Sequence, residues 1–223
     1  MKKILQLIVS VLFIVVSSSA WAQRSYEQFI TAVVRDDAAT VRQLHARGFD
    51  LNTPDPDLNP ALVLALQRDA LAVARYLVEQ RDVDVEARNA VGETALMIAA
   101  LRNHRDVVER LLARGAQVNR PGWTALHYAA TNKGDQAAAI TRLLLEHYAY
   151  IDAESPNRTT PLMMAARYGR EEVVRLLLEE GADPTLRNEQ GLDAIDFARQ
   201  VGRDGLVDVI ASAIRARQPR GQW

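Results

Sequence analysis

One pattern recurs along this 223-residue chain, and it limits the possible folds more than any other feature. It is clearest from Thr160 to Asn188, which reads T-P-L-M-M-A-A-R-Y-G-R-E-E-V-V-R-L-L-L-E-E-G-A-D-P-T-L-R-N. Thr160 is typical of a helix N-cap, Pro161 suits the first helical position, and Gly181 can take the left-handed conformation that ends a second helix. Neither helix is long enough to be stable alone in water, so the segment must pack against similar segments.

Positions equivalent to Thr160 occur at nearly constant spacing through the chain. They are Glu27, Pro60, Thr94, Thr124 and Asp193, and the successive spacings including Thr160 are 33, 34, 30, 36 and 33 residues. Periods in this range indicate repeats of one supersecondary unit that stack to bury a continuous core. The pattern therefore predicts an all-α repeat solenoid with about six repeats.

The repeats resemble ankyrin repeats, whose signature is T-P-L-H-x-A-A, followed by G-H, V-V, L-L and G-A-D-V-N. Thr94 opens T-A-L-M-I-A-A, Thr124 opens T-A-L-H-Y-A-A, and D-V-V-E-R-L-L-A-R-G-A-Q-V-N follows the first of these. The resemblance covers about residues 25–214 and is weakest in the first, second and last repeats. It implies helix-turn-helix repeats joined by hairpin loops, at 23–54, 55–88, 89–119, 120–154, 155–187 and 188–214.

The N-terminal segment has the pattern of a secretory signal peptide. Lys2 and Lys3 precede an apolar run from Ile4 to Val16, and Ala20-Trp21-Ala22 offers a cleavage site between small residues. We expect residues 1–22 to be removed after Ala22, and the alternative is an uncleaved anchor. A short signal of this kind is typical of bacteria and predicts a periplasmic or secreted protein.

Composition agrees with an exported domain that needs no disulfide, because the chain has no cysteine and is long enough to bury an adequate core. The formal net charge of −1 becomes −3 once the two signal lysines are removed. This charge is too close to zero to favour nucleic acid or an anionic membrane as a partner. We expect residues 215–223 to form a flexible tail, in which Trp223 is either part of a frayed chain end or a docking residue.

Two repeats depart from the pattern and are predicted to be the least stable. In the second repeat Arg81 or Asp82 occupies the closing-glycine position, where a left-handed non-glycine residue costs about 1–2 kcal/mol. In the fourth repeat Tyr148 takes that position, and the segment between the two helices is two residues longer than in the third repeat. Polar residues in the last repeat suit a terminal cap that faces water: Asp193, Asp196, Arg199, Arg203 and Asp208.

No pattern of catalytic or metal-binding residues is found in the sequence. The histidines form no H-E-x-x-H pair, no serine lies in a G-x-S-x-G context, and no glycine loop suits a phosphate. The resemblance implies a structural role for His127, which stands in the T-P-L-H position and would brace neighbouring repeats. His104 matches the G-H position and is also expected to be structural. We therefore expect no enzyme activity, no cofactor and no metal.

The resemblance implies that partner contacts lie just before the Thr position and seven and eight residues after it, on a concave face. Three successive repeats place an arginine eight residues after it. The predicted contact residues are Arg35, Arg68, Arg102, Trp123, Asn132, Arg167 and Tyr168. Arginine and large aromatic residues are enriched at binding hot spots. An arginine at a helix end can equally satisfy terminal carbonyls, and Trp123 can equally pack across its loop.

These observations favour a non-catalytic, monomeric module that binds a partner protein, with an acidic segment of the partner facing the arginines. An immunity or protective protein for a secreted enzyme is the alternative within that class. Binding of a small ligand is less favoured, because such sites are usually enclosed pockets.

Overall fold

The computed structural model describes residues 22–217. The predicted signal peptide lies outside the described residues apart from Ala22, and so do residues 218–223, including Trp223. The chain divides into two compact units, whose described parts are residues 22–83 and 84–217. We call them the N-terminal and C-terminal units.

Each unit is built from pairs of short antiparallel helices. The N-terminal unit contains α1, which includes residues 22–34, α2 Ala38–Ala46, α3 Ala61–Gln67 and α4 Leu71–Glu79. The C-terminal unit contains α5 Ala95–Leu101, α6 Arg105–Ala113, α7 Ala125–Thr131, α8 Ala137–Glu146, α9 Pro161–Tyr168, α10 Glu171–Glu179, α11 Ala194–Arg199 and α12 Asp204–Arg217. Within residues 22–217 no strand forms, and the loop before α5 contains an isolated β-bridge between Arg88 and Thr94. The predicted all-α repeat architecture is confirmed.

The predicted N-cap positions begin five of these helices. The hydroxyl of Thr160 accepts a hydrogen bond from the Met163 N–H at 3.4 Å, and Pro161 is the first residue of α9. Pro60, Thr94, Thr124 and Asp193 take the same position in α3, α5, α7 and α11. The prediction for Glu27 was wrong, because Glu27 lies inside α1. Residues 22–26 contain no glycine or proline that would interrupt the helix before Glu27.

Left-handed residues end several second helices. Gly181 closes α10 with a φ of +106°, as predicted, and Tyr148 takes the same role after α8 with a φ of +63°. The second repeat avoids this conformation, since neither Arg81 nor Asp82 has a positive φ. Gln80 instead leaves α4 in an extended conformation, with φ −81° and ψ 128°. The predicted local adjustment thus removes the steric cost of a left-handed arginine or aspartate.

Small residues allow the first helices of the C-terminal unit to pack closely side by side. Helices α5, α7, α9 and α11 contact one another in sequence, and α6, α8, α10 and α12 form a second layer behind them. The residues at their contacts include Ala99, Ala129, Ala165 and Ala198, which are fully buried. Gly169 extends this principle to the turn after α9, where a side chain would collide with the Ala130 carbonyl oxygen.

Side-chain hydrogen bonds join successive repeats of the C-terminal unit. Asn103 is left-handed, with a φ of +66°, and its Oδ1 accepts from the Gln136 N–H at 2.9 Å, just before α8. Asn119 links the following loops, because its Oδ1 accepts from the Tyr150 N–H at 2.8 Å and its Nδ2 donates to the Tyr148 carbonyl at 2.7 Å. Donors at helix starts and loop amides that would otherwise be unpaired are satisfied in this way.

Some polar residues of the terminal repeat make hydrogen bonds to the preceding repeat. Arg203 was predicted on the solvent face, yet its Nη1 donates to the carbonyls of Ala165 and Ala166 at 3.1 and 3.0 Å. It therefore satisfies carbonyls near the end of α9. Helix α12 continues to Arg217, so the predicted flexible tail starts too early at residue 215. Arg217 lies 3.8 Å from Asp183, and this ion pair links the last turn of α12 to the loop after α10.

Candidate functional site

His127 is a structural brace beneath the surface of the C-terminal unit. Its ring is 0% exposed, and its Nε2–H donates to the Thr159 carbonyl at 2.9 Å in the next hairpin loop. Its Nδ1 accepts from the Thr124 backbone N–H at 3.2 Å, and this assigns the neutral tautomer. Burial lowers the pKa of His127 to about 4, against the weaker raising effect of its hydrogen bond to Thr159. The predicted structural role is confirmed.

An apolar surface patch lies directly above this histidine. It consists of Leu101, Trp123, Tyr128, Thr131 and Met164, which line an open cavity of about 250 Å³ together with His127. We call these five residues the apolar patch. They come from the end of α5, the hairpin before α7, α7 itself and α9, so three successive repeats build one surface.

Trp123 is held in place at the centre of the apolar patch. Its ring meets His127 edge-on with centroids 5.2 Å apart, while 37% of the residue is exposed. One side of Trp123 therefore packs inward and the other side faces solvent, and its contact with a partner stays a prediction. An exposed aromatic side chain that is already ordered loses little entropy when a partner covers it.

The predicted residues Arg167 and Tyr168 end α9 and interact with each other. The Arg167 guanidinium lies 5.3 Å from the centre of the Tyr168 ring, and it donates to Gln200 in the next repeat. Tyr168 is exposed but is not among the residues that line the cavity of the apolar patch.

The three predicted arginines occupy equivalent positions in their repeats. Arg35 follows the last residue of α1, Arg68 follows α3, and Arg102 follows α5, and all three are exposed. Arg35 and Arg68 belong to the N-terminal unit and Arg102 to the C-terminal unit. All three stand where a cation meets the negative end of a helix, so the helix-end interpretation stays open beside the binding one.

Asn132 was predicted to contact a partner, but the structure places it in the interior. It is 2% exposed, and its Nδ2 donates to the Ala100 carbonyl at 2.9 Å and to Asn103 Oδ1 at 3.2 Å. Its Oδ1 accepts from the Gly134 N–H at 2.7 Å. The longer segment between α7 and α8 folds back over α5 and needs a buried amide to satisfy its backbone. Asn132 and Arg102 occupy equivalent positions in the sequences of their repeats, but Asn132 is buried whereas Arg102 is exposed.

A second, more polar cavity was not predicted from the sequence. It has a volume of about 220 Å³ and lies among three hairpin loops, where its walls include Arg88, Arg120, Trp123, Tyr128 and Pro156. Tyr128 donates its hydroxyl to Glu93 at 2.9 Å, and burial together with this carboxylate raises the pKa of Tyr128. The only sequence signal was the shortened R-P-G-W entry to the fourth repeat, which brings Arg120 close to Trp123.

No group of three or more His, Asp or Glu side chains within residues 22–217 could hold a metal ion. None of the helices that the structure describes is both long and apolar enough to cross a membrane.

Comparison with known proteins identifies the repeats. The family model described as "Ankyrin repeats (3 copies)" matches residues 29–121 and 119–188. The ankyrin repeat protein YahD of Escherichia coli is 34% identical over 151 residues, which cover 65% of this chain and 74% of YahD. The tyrosine-protein kinase Shark of Drosophila melanogaster is 33% identical over 144 residues, which cover 62% of this chain and 15% of the kinase. The chain thus spans a small part of some relatives and most of others.

Solved structures give the same result. One chain of the complex between the predatory endopeptidase Bd0816 of Bdellovibrio bacteriovorus and immunity protein Bd3460 aligns with a TM-score of 0.68 and 27% identity, over 86% of this chain and 98% of that one. An ankyrin repeat domain of Acinetobacter baumannii aligns with a TM-score of 0.68 and 23% identity, over 83% of this chain and 96% of that one, and shows the shared fold. Ankyrin repeats are in general non-catalytic protein-interaction modules, and this chain belongs to the ankyrin repeat family.

Proposed function

We propose that the protein is an exported interaction module that binds a partner protein through the apolar patch and the loop tips beside it. The observation that carries this proposal is the patch itself. Leu101 and Trp123 expose large apolar side chains around an open cavity, whereas side chains of this kind are usually buried in a protein core. Contiguous exposed apolar surface rimmed by polar residues is typical of interaction sites.

The proposed location rests on the sequence pattern of the N-terminal segment, with export through a signal peptide cleaved after Ala22. The partner contacts would extend from the apolar patch to Arg102 just after α5 and to Arg167 and Tyr168 at the end of α9. In the N-terminal unit, Arg35 and Arg68 are proposed contacts for an acidic segment of the partner. Binding is stoichiometric, and the protein acts by holding its partner rather than by turnover.

Affinity capture with matched variants tests this function. The tagged full chain is expressed in a bacterium that exports it, and bound proteins are identified by mass spectrometry. Leu101→Glu places a charge in the patch at a residue that is already part-exposed, so we expect loss of the partner without loss of folding. Tyr148→Asn is the matched control, because Tyr148 is 85% exposed, lies outside the patch, and asparagine tolerates its left-handed backbone.

The outcomes separate the sites. A partner that is lost with Leu101→Glu and kept with Tyr148→Asn supports the apolar patch. A partner kept by both variants moves the site elsewhere, and a third variant with Arg35, Arg68 and Arg102 all changed to Glu then tests the arginines. If no protein is retained by the unchanged chain at any level above the untagged control, the proposed function is wrong.

An immunity protein is the second candidate, and one observation favours it. This chain aligns over nearly the full length of a chain in a complex that joins an endopeptidase to an immunity protein. Under this hypothesis the captured partner is a hydrolase of the exporting cell. Adding the purified chain in equimolar amount should then block that hydrolase, and Leu101→Glu should restore its activity. A captured hydrolase whose activity is unchanged by the chain would contradict the immunity hypothesis and leave the interaction function intact.

A further inference from the structure

The polar cavity beside the apolar patch has the features of an anion site. We call it the basic pocket and define it by Arg88, Arg120, Trp123 and Tyr128. Both charged side chains among the residues that line it are arginines, and no acidic residue is among them. Arginine presents its donors in a planar fork that matches the two oxygens of a carboxylate.

The side chain of Arg120 is buried without enough partners. It is 8% exposed, and its closest carboxylate is Glu86 Oε2, which lies 3.3 Å from Nη2. Within residues 22–217 no hydrogen-bond acceptor reaches its Nη1, and Glu86 Oε2 likewise receives no hydrogen bond. The other oxygen of Glu86 is occupied by the Gln117 N–H at 2.8 Å. A buried donor of a charged group is costly to leave unpaired, so this arrangement favours an additional acceptor.

Arg88 adds a second positive charge to the same pocket. It is exposed, and no ion pair to it is found in the part of the chain that the structure describes. Burial is the main cause that lowers the pKa of Arg120, and the neighbouring charge of Arg88 lowers it further against the opposing effects of Glu86 and Asp84. The nearby Glu93 accepts hydrogen bonds from Tyr128 and from Asn89, and among the described residues it forms no ion pair with Arg88 or Arg120. A buried arginine that lacks a hydrogen-bond acceptor and lies near a second cation would be stabilised by an added anion.

The basic pocket and the cavity of the apolar patch share the walls Trp123 and Tyr128. A bound segment can therefore place one group in each of them at the same time. We propose that the basic pocket binds a carboxylate of the partner protein while an adjacent apolar side chain of that partner fills the cavity of the apolar patch. This inference rests on the proposed function and names the chemistry of the partner segment, a bulky apolar residue beside Asp, Glu or the chain terminus.

The probe for this site is 3-phenylpropionate, which carries a carboxylate and an aromatic ring on one short chain. It is titrated into the ¹⁵N-labelled full chain while the indole N–H resonance of Trp123 is followed, with Trp123→Phe used to assign that resonance. Trp223 is the internal reference, because Trp21 belongs to the segment expected to be removed before Gln23. We expect a saturable shift at Trp123, and 3-phenylpropanamide, which lacks the charge, should bind about tenfold more weakly.

Variants assign the charge to named residues. Arg88→Gln removes an exposed cation with little effect on folding and should raise the Kd for 3-phenylpropionate about tenfold. Arg142→Gln, an exposed arginine on α8, is the matched control and should leave the Kd unchanged. Arg120→Gln should abolish binding, and its amide spectrum reports whether it is folded. If Arg120→Gln does not fold, the comparison of Arg88→Gln with Arg142→Gln decides the question.

Equal affinity for the acid and the amide, or an unchanged Kd in Arg88→Gln, would overturn the carboxylate site. Tighter binding of inorganic phosphate than of 3-phenylpropionate would overturn the assignment to a carboxylate. The outcome for the proposed function is separate. A captured partner that is lost with Leu101→Glu but retained by Arg88→Gln at full affinity would preserve the interaction function and refute the basic pocket.

Discussion

Replacing His127 with glutamine should remove one defined part of the acid sensitivity of the C-terminal unit. The folded protein holds this imidazole neutral, because it is fully buried and because its Nδ1 must accept the Thr124 N–H. In the unfolded chain the same ring meets water and takes up a proton at its ordinary pKa. The two states therefore bind different numbers of protons in mildly acidic solution.

The sign and size of the effect follow from the two pKa values. The pKa of His127 is lowered from 6.5 to about 4 on folding. Above pH 6.5 both states are neutral and the stability is at its full value. Between 6.5 and 4 only the unfolded state gains the proton, so the free energy of unfolding falls as the pH is lowered. At about 1.4 kcal/mol per pKa unit, the total loss by pH 4 is about 3 kcal/mol.

Urea unfolding at pH 7, 5 and 4 measures this loss directly. Glutamine keeps a polar group at the third helical position, where it can support the N-cap, but does not titrate. We expect the His127→Gln variant to be less stable at pH 7, since the hydrogen bond to the Thr159 carbonyl is weakened, but to lose about 3 kcal/mol less between pH 7 and 4.

Carboxylates titrate alike in both proteins, so the difference between the two pH profiles isolates His127. Parallel profiles for the two proteins would refute the reasoning. So would an NMR titration in which the His127 ring of the folded protein takes up a proton near pH 6.5.

Three further predictions concern the backbone and the N-terminus. Gly181→Val should lower the free energy of unfolding by about 1–2 kcal/mol through backbone strain. Arg175→Ala, which breaks one exposed ion pair, should lower it by less than about 1 kcal/mol. Equal melting temperatures of the two variants would contradict the role of Gly181. Tyr148→Gly should stabilise the protein by about 1 kcal/mol in urea unfolding, because Tyr148 is exposed and left-handed, and a loss of stability would reveal a packing role instead. Intact-mass analysis of the exported protein should give a chain that begins at Gln23, and an unprocessed mass would refute cleavage after Ala22.

Much of the architecture could be predicted because local chemistry decides it. A threonine before an apolar turn caps a helix wherever it occurs, and Thr94, Thr124 and Thr160 do so here. Gly181 is left-handed because a residue without a Cβ adopts this conformation with little steric cost. The bracing role of His127 followed from its place in the repeat signature, since a repeated backbone presents the same partner to the same position.

Positional equivalence failed where the backbone departs from the repeat. Asn132 and Arg102 occupy the same position in the alignment of the repeats, yet the longer segment after α7 turns Asn132 inward. Glu27 was assigned a helix start that the continuous helix α1 does not have. An insertion of two residues is a small change in sequence, but it alters which way every following side chain points until the next helix begins.

The sequence by itself determined the repeat, its helical pairs and the closing glycines, because these depend on interactions between residues a few positions apart. Only the tertiary structure decided which surface side chains meet. Leu101, Trp123 and Met164 are separated along the chain yet line one cavity, and Arg120 lost its access to water only when neighbouring hairpins closed around it. Burial and charge pairing are properties of the assembled surface, so no single repeat contains the information that predicts them.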